Sequence, residues 1–156
     1  MEVTGLPLHA LINHAAVVLV PLTALLAIAF AVLPGWRWLS RWPTAIAAVV
    51  CVPLLFLTVK SGEALESDRH LEQLVKTHAA RGHLLFDFVI VFAIVVVAAV
   101  FALPGPSGLA SGRGAMARRV AYADKVLPVL VVVAALVVLV QVFLTGDAGA
   151  RAVWGN

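Results

Sequence analysis

Four long apolar segments, separated by polar stretches, dominate the pattern of hydrophobic and polar positions along this chain. They cover about 11–33, 43–60, 78–103 and 126–145. Each is close to the ~20 residues that a helix needs to cross a bilayer. The sequence therefore predicts an all-α integral membrane protein, in which four transmembrane helices run alternately up and down as a bundle.

Composition agrees with this prediction. The 156-residue chain is 63% hydrophobic and only 12% charged, whereas soluble domains carry roughly 25% charged residues. The sequence thus predicts a single membrane domain, 1–156, in contact with the lipid bilayer. One cysteine, Cys51, excludes an intramolecular disulfide and a cysteine-based metal site. The net charge of +3 gives no reason to expect nucleic acid as a partner.

Basic residues are concentrated in the connectors that join span one to span two and span three to span four. The connector 34–43 and the loop 104–125 hold six of the eleven basic residues and one acid, Asp124. The positive-inside rule therefore places both connectors in the cytoplasm and both termini outside. Three tryptophans in the first connector fit an aromatic belt at the membrane interface. The six basic residues are Arg37, Arg41, Arg113, Arg118, Arg119 and Lys125.

All five histidines fall at the end of the bundle that holds both termini. An even number of spans puts both termini and the connector between spans two and three on the same side. Glu63 and Asp147 are on this side as well. Every candidate ligand of a metal or cofactor therefore faces one compartment. The histidines are His9, His14, His70, His78 and His83.

The two halves of the chain repeat one order of motifs. Each half opens on two histidines five residues apart, continues through an apolar run, a Leu-Pro-Gly turn and a second apolar run, and ends on a hydroxyl residue, a glycine and an acid. This order predicts two tandem two-helix repeats, related by an axis along the membrane normal. The glycines of the two closing triplets, Gly62 and Gly146, predict that helices two and four end there.

The repeat places His14 and His83 at equal depth on spans one and three, which are diagonal partners in an up-down bundle. Glu63 and Asp147 are expected at nearly the same depth. The sequence thus predicts two histidines and two carboxylates around the bundle axis.

Other polar residues are expected to support this site. Asp87 lies one helical turn after His83, where a carboxylate commonly fixes the tautomer of an imidazole, and Asn13 precedes His14. His9 and His78 lie about 7.5 Å further out along the same helices, so they are expected to form a separate, solvated outer layer.

Three functional hypotheses follow from this arrangement. In the first, the protein is a small redox protein in which His14 and His83 are axial ligands of a b-type haem. In the second, His14, His83, Glu63 and Asp147 bind one divalent transition-metal ion. In the third, the polar residues only hold helices together in an accessory subunit of a respiratory or transport complex. An electron carrier or accessory subunit is favoured over a stand-alone enzyme.

Several motifs resemble the bacterial membrane family known as domain of unknown function 2231, and the resemblance covers essentially the whole chain. The motifs are Gly5-Leu-Pro-Leu-His9-x4-His14, Ser61-Gly62-Glu63-x-Leu-Glu66, His78-x3-Gly82 and Thr145-Gly-Asp-x-Gly-Ala-Arg-Ala-Val-Trp-Gly155. The chain differs from many members in having Ala10 in place of a proline and Ala15 in place of an aromatic residue.

The resemblance implies a four-helix bundle in the bacterial plasma membrane, with no settled activity. Some members are joined to Rieske or c-type cytochrome domains, which implies a redox partner of that kind at the outer face. This expectation of a redox partner rests on the family resemblance and not on the chemistry of the predicted site.

Overall fold

A computed structural model describes residues 2–3, 6–69, 72–103 and 122–155 of the chain. The four helices are α1 (Leu8–Val32), α2 (Arg37–Arg69), α3 (Glu72–Ala102) and α4 (Ala123–Trp154). Each is long and apolar enough to cross a membrane, as predicted. Two-residue strands β1 (Glu2–Val3) and β2 (Leu6–Pro7) pair antiparallel before α1, with Glu2 opposite Pro7 and Val3 opposite Leu6. A 3₁₀ turn, Pro34–Trp36, joins α1 to α2.

The helices form a four-helix bundle. Each helix packs against the next one in sequence, and α1 also packs against α4. Helices α1 and α3 are therefore diagonal across the bundle, as are α2 and α4. This arrangement brings the start of α1, the end of α2, the start of α3 and the end of α4 to one end of the bundle. All described histidines lie at that end.

Buried positions recur at the same spacing in both halves of the bundle. From His9 onward, every buried residue of α1 has a buried counterpart 69 positions later in α3. Many of these side chains are small, which lets membrane helices approach closely. The pairs are Ala16 and Leu85, Val20 and Val89, Thr23 and Phe92, Ala24 and Ala93, Ala27 and Val96, Phe30 and Ala99, and Ala31 and Val100. In α2 and α4, Thr44, Ala48 and Cys51 correspond to Val131, Ala135 and Val138 at a separation of 87 positions.

Helices α2 and α4 extend well beyond the ends predicted from their glycines. Gly62 lies inside α2, which continues to Arg69, and Gly146 lies inside α4, which continues to Trp154. The prediction that these glycines end the helices is therefore wrong. A glycine inside a helix costs only about 1 kcal/mol relative to alanine, and the packing of the extended helices outweighs this cost. Residues 104–121 of the predicted loop 104–125 lie outside the described residues. The last three residues of that loop, 123–125, belong to α4.

Two arginines of the first connector are buried where α1 and α3 end. The guanidinium of Arg37 donates hydrogen bonds to the carbonyls of Phe30 and Ala31, and Arg41 Nη2 donates to the Leu103 carbonyl at 2.8 Å. A cation at a helix C-terminus satisfies carbonyls that lack a partner within the helix and complements the helix dipole. These two arginines therefore have a structural role in addition to their place in the charge pattern.

Replacing Arg41 by glutamine is expected to destabilise the bundle by about 2 kcal/mol, because a charged hydrogen bond to a buried carbonyl is lost. For a chain of this size that corresponds to a midpoint about 4 to 8 °C lower in thermal unfolding in detergent. Lys125→Gln is the matched control, since it removes one positive charge from an exposed position at the same end. Equal midpoints for the two variants would show that the Arg41 contact contributes nothing.

Candidate cofactor site

His9 of α1 and His78 of α3 face each other across the bundle. Their ring centroids are 6.3 Å apart, and the ring planes are inclined by 80°. Both side chains are half-buried. The structure thus brings together the two histidines that the sequence assigned to a solvated outer layer.

Each of these imidazoles is anchored to a neighbouring helix in the same way. His9 Nδ1 lies 3.0 Å from the Thr58 carbonyl oxygen of α2, and His78 Nδ1 lies 3.0 Å from the Thr145 carbonyl oxygen of α4. A carbonyl can only accept a hydrogen bond, so Nδ1 carries the proton in both rings. In the neutral form of each ring Nε2 then keeps its lone pair, and this is the tautomer of a histidine that binds a metal through Nε2.

Two glycines allow these close approaches. Gly62 and Gly149 lie one helical turn after Thr58 and Thr145. A Cβ atom at position 62 would lie 3.1 Å from His9 Cε1, and one at position 149 would lie 2.9 Å from His78 Nδ1. A larger residue at either position would require the ring or a helix to shift.

A sequence signal for these contacts is present in both halves. Thr58-x3-Gly62 and Thr145-x3-Gly149 are the same motif. The order of motifs in the two halves pairs Ser61-Gly62 with Thr145-Gly146 instead. The contacts pair Gly62 with Gly149, three residues later, because a glycine one turn after the bonded carbonyl leaves room for the ring.

A cavity of about 450 Å³ surrounds the two histidines. Its lining is mostly apolar, and many of the lining residues are alanine or glycine. At Gly82 and Gly146 an added Cβ would meet nothing within 4 Å. Asn13, Glu63, Glu66 and His83 also contribute to the wall. A largely apolar cavity with a few convergent polar groups is typical of a small-molecule or cofactor site.

His14 and His83, the predicted ligand pair, are not brought together in this way. His14 is exposed, and its Nδ1 donates to the Ala10 carbonyl of its own helix. His83 Nε2 lies 3.3 Å from Glu63 Oε1, across the contact between α2 and α3. His14 points away from the cavity because it lies five residues after His9, and five residues along a helix rotate the side-chain direction by about 140°.

The predicted acidic ligands have other partners. Glu63 Oε2 also accepts a hydrogen bond from Lys60 at 2.8 Å, and Asp147 pairs with Arg151 of its own helix at 2.9 Å. Asp87 is exposed, and the carboxylate that contacts His83 is Glu63. Among the described residues, no group of three or more His, Cys, Asp or Glu side chains is placed to hold a metal ion.

Comparison of the chain with protein-family models, with curated proteins and with solved structures gives no match. The resemblance to domain of unknown function 2231 therefore stays a prediction, and the site has to be interpreted from its own geometry.

Proposed function

We propose that the protein is a small integral membrane redox protein that holds a b-type haem between His9 and His78. The observation that supports this proposal is the pair of neighbouring imidazoles, each with its Nδ1 atom hydrogen-bonded to a backbone carbonyl. The ligand pair differs from the one predicted from sequence, but the chemistry is the same. Paired histidines on different helices are a common way for bundles to bind cofactors.

The separation of the rings supports this proposal. A metal–imidazole bond of about 2 Å on each side places the centroids of two axial rings about 6 Å apart, and the observed distance is 6.3 Å. An edge-on contact between two aromatic rings alone also falls within about 4.5–7 Å. The two anchored Nδ1 atoms and the surrounding cavity favour the cofactor interpretation over a simple ring contact.

The volume of the cavity and the small residues that line it suit a haem. Its 450 Å³ volume lies within the roughly 300–1,000 Å³ typical of ligand sites. Small residues line it on every helix, including Ala16, Gly62, Ala79 and Gly149. These residues leave space beside the imidazoles for a flat macrocycle.

A haem is favoured over a single metal ion because of the number of protein ligands. A haem supplies four nitrogens of its own and needs only two histidines from the chain. A bare divalent ion needs three or more protein ligands as a rule, and the described part of the chain presents no such group. The carboxylate of Glu63 is already paired with Lys60 and His83.

The internal repeat of two helices, predicted from the sequence, is part of this proposal. Equivalent residues of α1 and α3 are buried, and equivalent contacts hold His9 and His78 to α2 and α4. We propose that residues of α1 and α2 form one unit and those of α3 and α4 a second, with the cofactor between them. Each unit contributes one histidine, one Thr carbonyl and one glycine.

The proposed role is electron transfer at the outer face of the bacterial plasma membrane. His9 and His78 together would hold the haem, and a haem held by two histidines would supply one-electron transfer more readily than catalysis. The termini and the histidines face outside in this proposal, as the charge pattern predicts. A Rieske or c-type cytochrome partner follows from the family resemblance alone.

The test is an absorption spectrum of protein purified in mild detergent from cells supplied with a haem precursor. The sample is air-oxidised and then reduced with dithionite, and its metal content is measured. We expect a Soret band, with sharp α and β bands after reduction. No haem absorbance would overturn the proposal. Stoichiometric metal without haem would favour the ion site, and the absence of both would favour an accessory subunit with a structural polar cluster.

A further inference from the structure

A buried arginine at the end of the bundle opposite the histidines leaves most of its hydrogen-bond donors unused. Arg41 is only 5% exposed, and its one hydrogen bond runs from Nη2 to the Leu103 carbonyl, just after α3. Its Nε is enclosed by protein without a partner, and its Nη1 makes no hydrogen bond to any described residue. A guanidinium has five N–H donors, so Arg41 can bind a further acceptor.

The positive charge of Arg41 also lacks a carboxylate partner. The connector 34–43 and the loop 104–125 contain one acid, Asp124, and Arg41 makes no ion pair with it or with any other described carboxylate. The loop sequence 104–121 contains no acid that could serve instead. The dipole of α3 offsets roughly half a unit of charge. Because a buried charge is costly without a partner, an anion from outside the chain would complete this site.

The surface next to Arg41 is aromatic and faces outward from the bundle. Trp42 of α2 and Phe101 of α3 are in contact, with ring centroids 6.0 Å apart, and both side chains are exposed. Phe101 lies two residues before Leu103, so Arg41 and Trp42 both reach the end of α3. Tryptophan is typical of the level where head groups meet acyl chains in a bilayer. A cation and an apolar surface therefore lie side by side at this level.

The charge of this end of the bundle favours a lipid with a net negative head group. Six basic residues and one acid belong to the two connectors. Basic pockets between membrane helices bind phosphate-containing head groups, and a guanidinium donates strong hydrogen bonds to phosphate oxygens. Free phosphate offers the same oxygens, but only a lipid also covers the exposed rings of Trp42 and Phe101.

We propose that Arg41, Trp42 and Phe101 form a binding site for one anionic phospholipid between α2 and α3. Arg41 Nη1 donates to the lipid phosphate, while Nη2 keeps its hydrogen bond to the Leu103 carbonyl. An acyl chain packs against Trp42 and Phe101. The site lies at the opposite end of the bundle from His9 and His78, so it does not depend on the proposed haem.

Native mass spectrometry of the protein in mild detergent measures the binding of added phosphatidylglycerol and phosphatidylcholine with the same acyl chains. We expect the wild type to bind phosphatidylglycerol roughly 10-fold more tightly, and Arg41→Gln to bind the two lipids about equally, since one charged hydrogen bond corresponds to about that factor. Arg41→Gln is measured below its unfolding midpoint. Lys125→Gln, which removes an exposed positive charge at the same end, should keep the preference. Equal binding of both lipids by the wild type would overturn the proposal.

A second variant tests the apolar part of the site without removing a buried group. Phe101→Ala is expected to bind phosphatidylglycerol roughly 3-fold more weakly, because the acyl chain loses dispersion contacts with the ring. Ile94→Ala, an equally exposed position on the same helix, should bind it as the wild type does. Unchanged binding in Phe101→Ala would contradict the proposed position of the lipid. Displacement of phosphatidylglycerol by inorganic phosphate would show that free phosphate is the ligand and would overturn the lipid assignment.

Discussion

Replacing His78 by alanine is expected to abolish haem binding altogether. Both facing histidines contact a backbone carbonyl at 3.0 Å, but His78 lies well inside α3, whereas His9 is the second residue of α1. Without it, only His9, in the first turn of its helix, would remain to hold the haem. His9→Ala is expected to remove the low-spin spectrum, leaving a five-coordinate haem of lower affinity. Difference spectra and haem quantification on purified protein measure both effects.

The two histidines that the sequence pattern favoured provide the matched controls. His14→Ala removes an exposed ring bonded only to its own helix, and His83→Ala removes an imidazole paired with Glu63. Both variants should retain haem and its low-spin bands. If His14→Ala and His83→Ala lose haem while the variants at positions 9 and 78 keep it, the assignment of ligands is wrong. Restoration of the low-spin bands by added imidazole would separate ligand loss from misfolding.

Replacing Gly149 by alanine is expected to weaken haem binding by roughly 10- to 100-fold, the usual effect of disturbing the partner of a metal ligand. The new Cβ atom would lie 2.9 Å from His78 Nδ1, so the ring or the helix must shift, which disturbs the contact with the Thr145 carbonyl. The added Cβ would clash with the His78 ring even when no haem is bound. Overpacking of this kind lowers the free energy of unfolding by about 1–3 kcal/mol. Haem titration and thermal unfolding of the haem-free protein measure the two effects.

Gly146→Ala is the control for this prediction. Gly146 lies on the same helix and lines the same cavity, but an added Cβ there meets no protein atom within 4 Å. Alanine in a helix interior is favoured over glycine by about 1 kcal/mol, so the haem-free variant should be slightly more stable. Equal losses of haem affinity at positions 146 and 149 would contradict the role given to Gly149. Gly62→Ala, with its 3.1 Å approach to His9 Cε1, should show a smaller loss.

The sequence by itself determined the class of fold and the end of the bundle where the histidines lie. Four apolar runs of bilayer length predict four spans, because a membrane helix must satisfy its backbone hydrogen bonds internally and present apolar side chains to lipid. The even number of spans then puts all histidines at one end, and the up-down order of the bundle makes spans one and three diagonal. The spacing of the histidines also pointed to equivalent positions in the two halves.

Only the tertiary structure decided which histidines meet. His9 and His14 are five residues apart, so they point in directions that differ by about 140°, and the sequence pattern does not say which direction faces the bundle axis. Packing decides it, because the buried positions that begin at Ala16 and Leu85 put His9 and His78 on the inner face. The anchoring carbonyls of Thr58 and Thr145 are backbone atoms of other helices, and their distance from a ring depends on how closely α2 and α4 approach. Gly62 and Gly149 leave room for that approach, and this becomes visible only once the helices are packed.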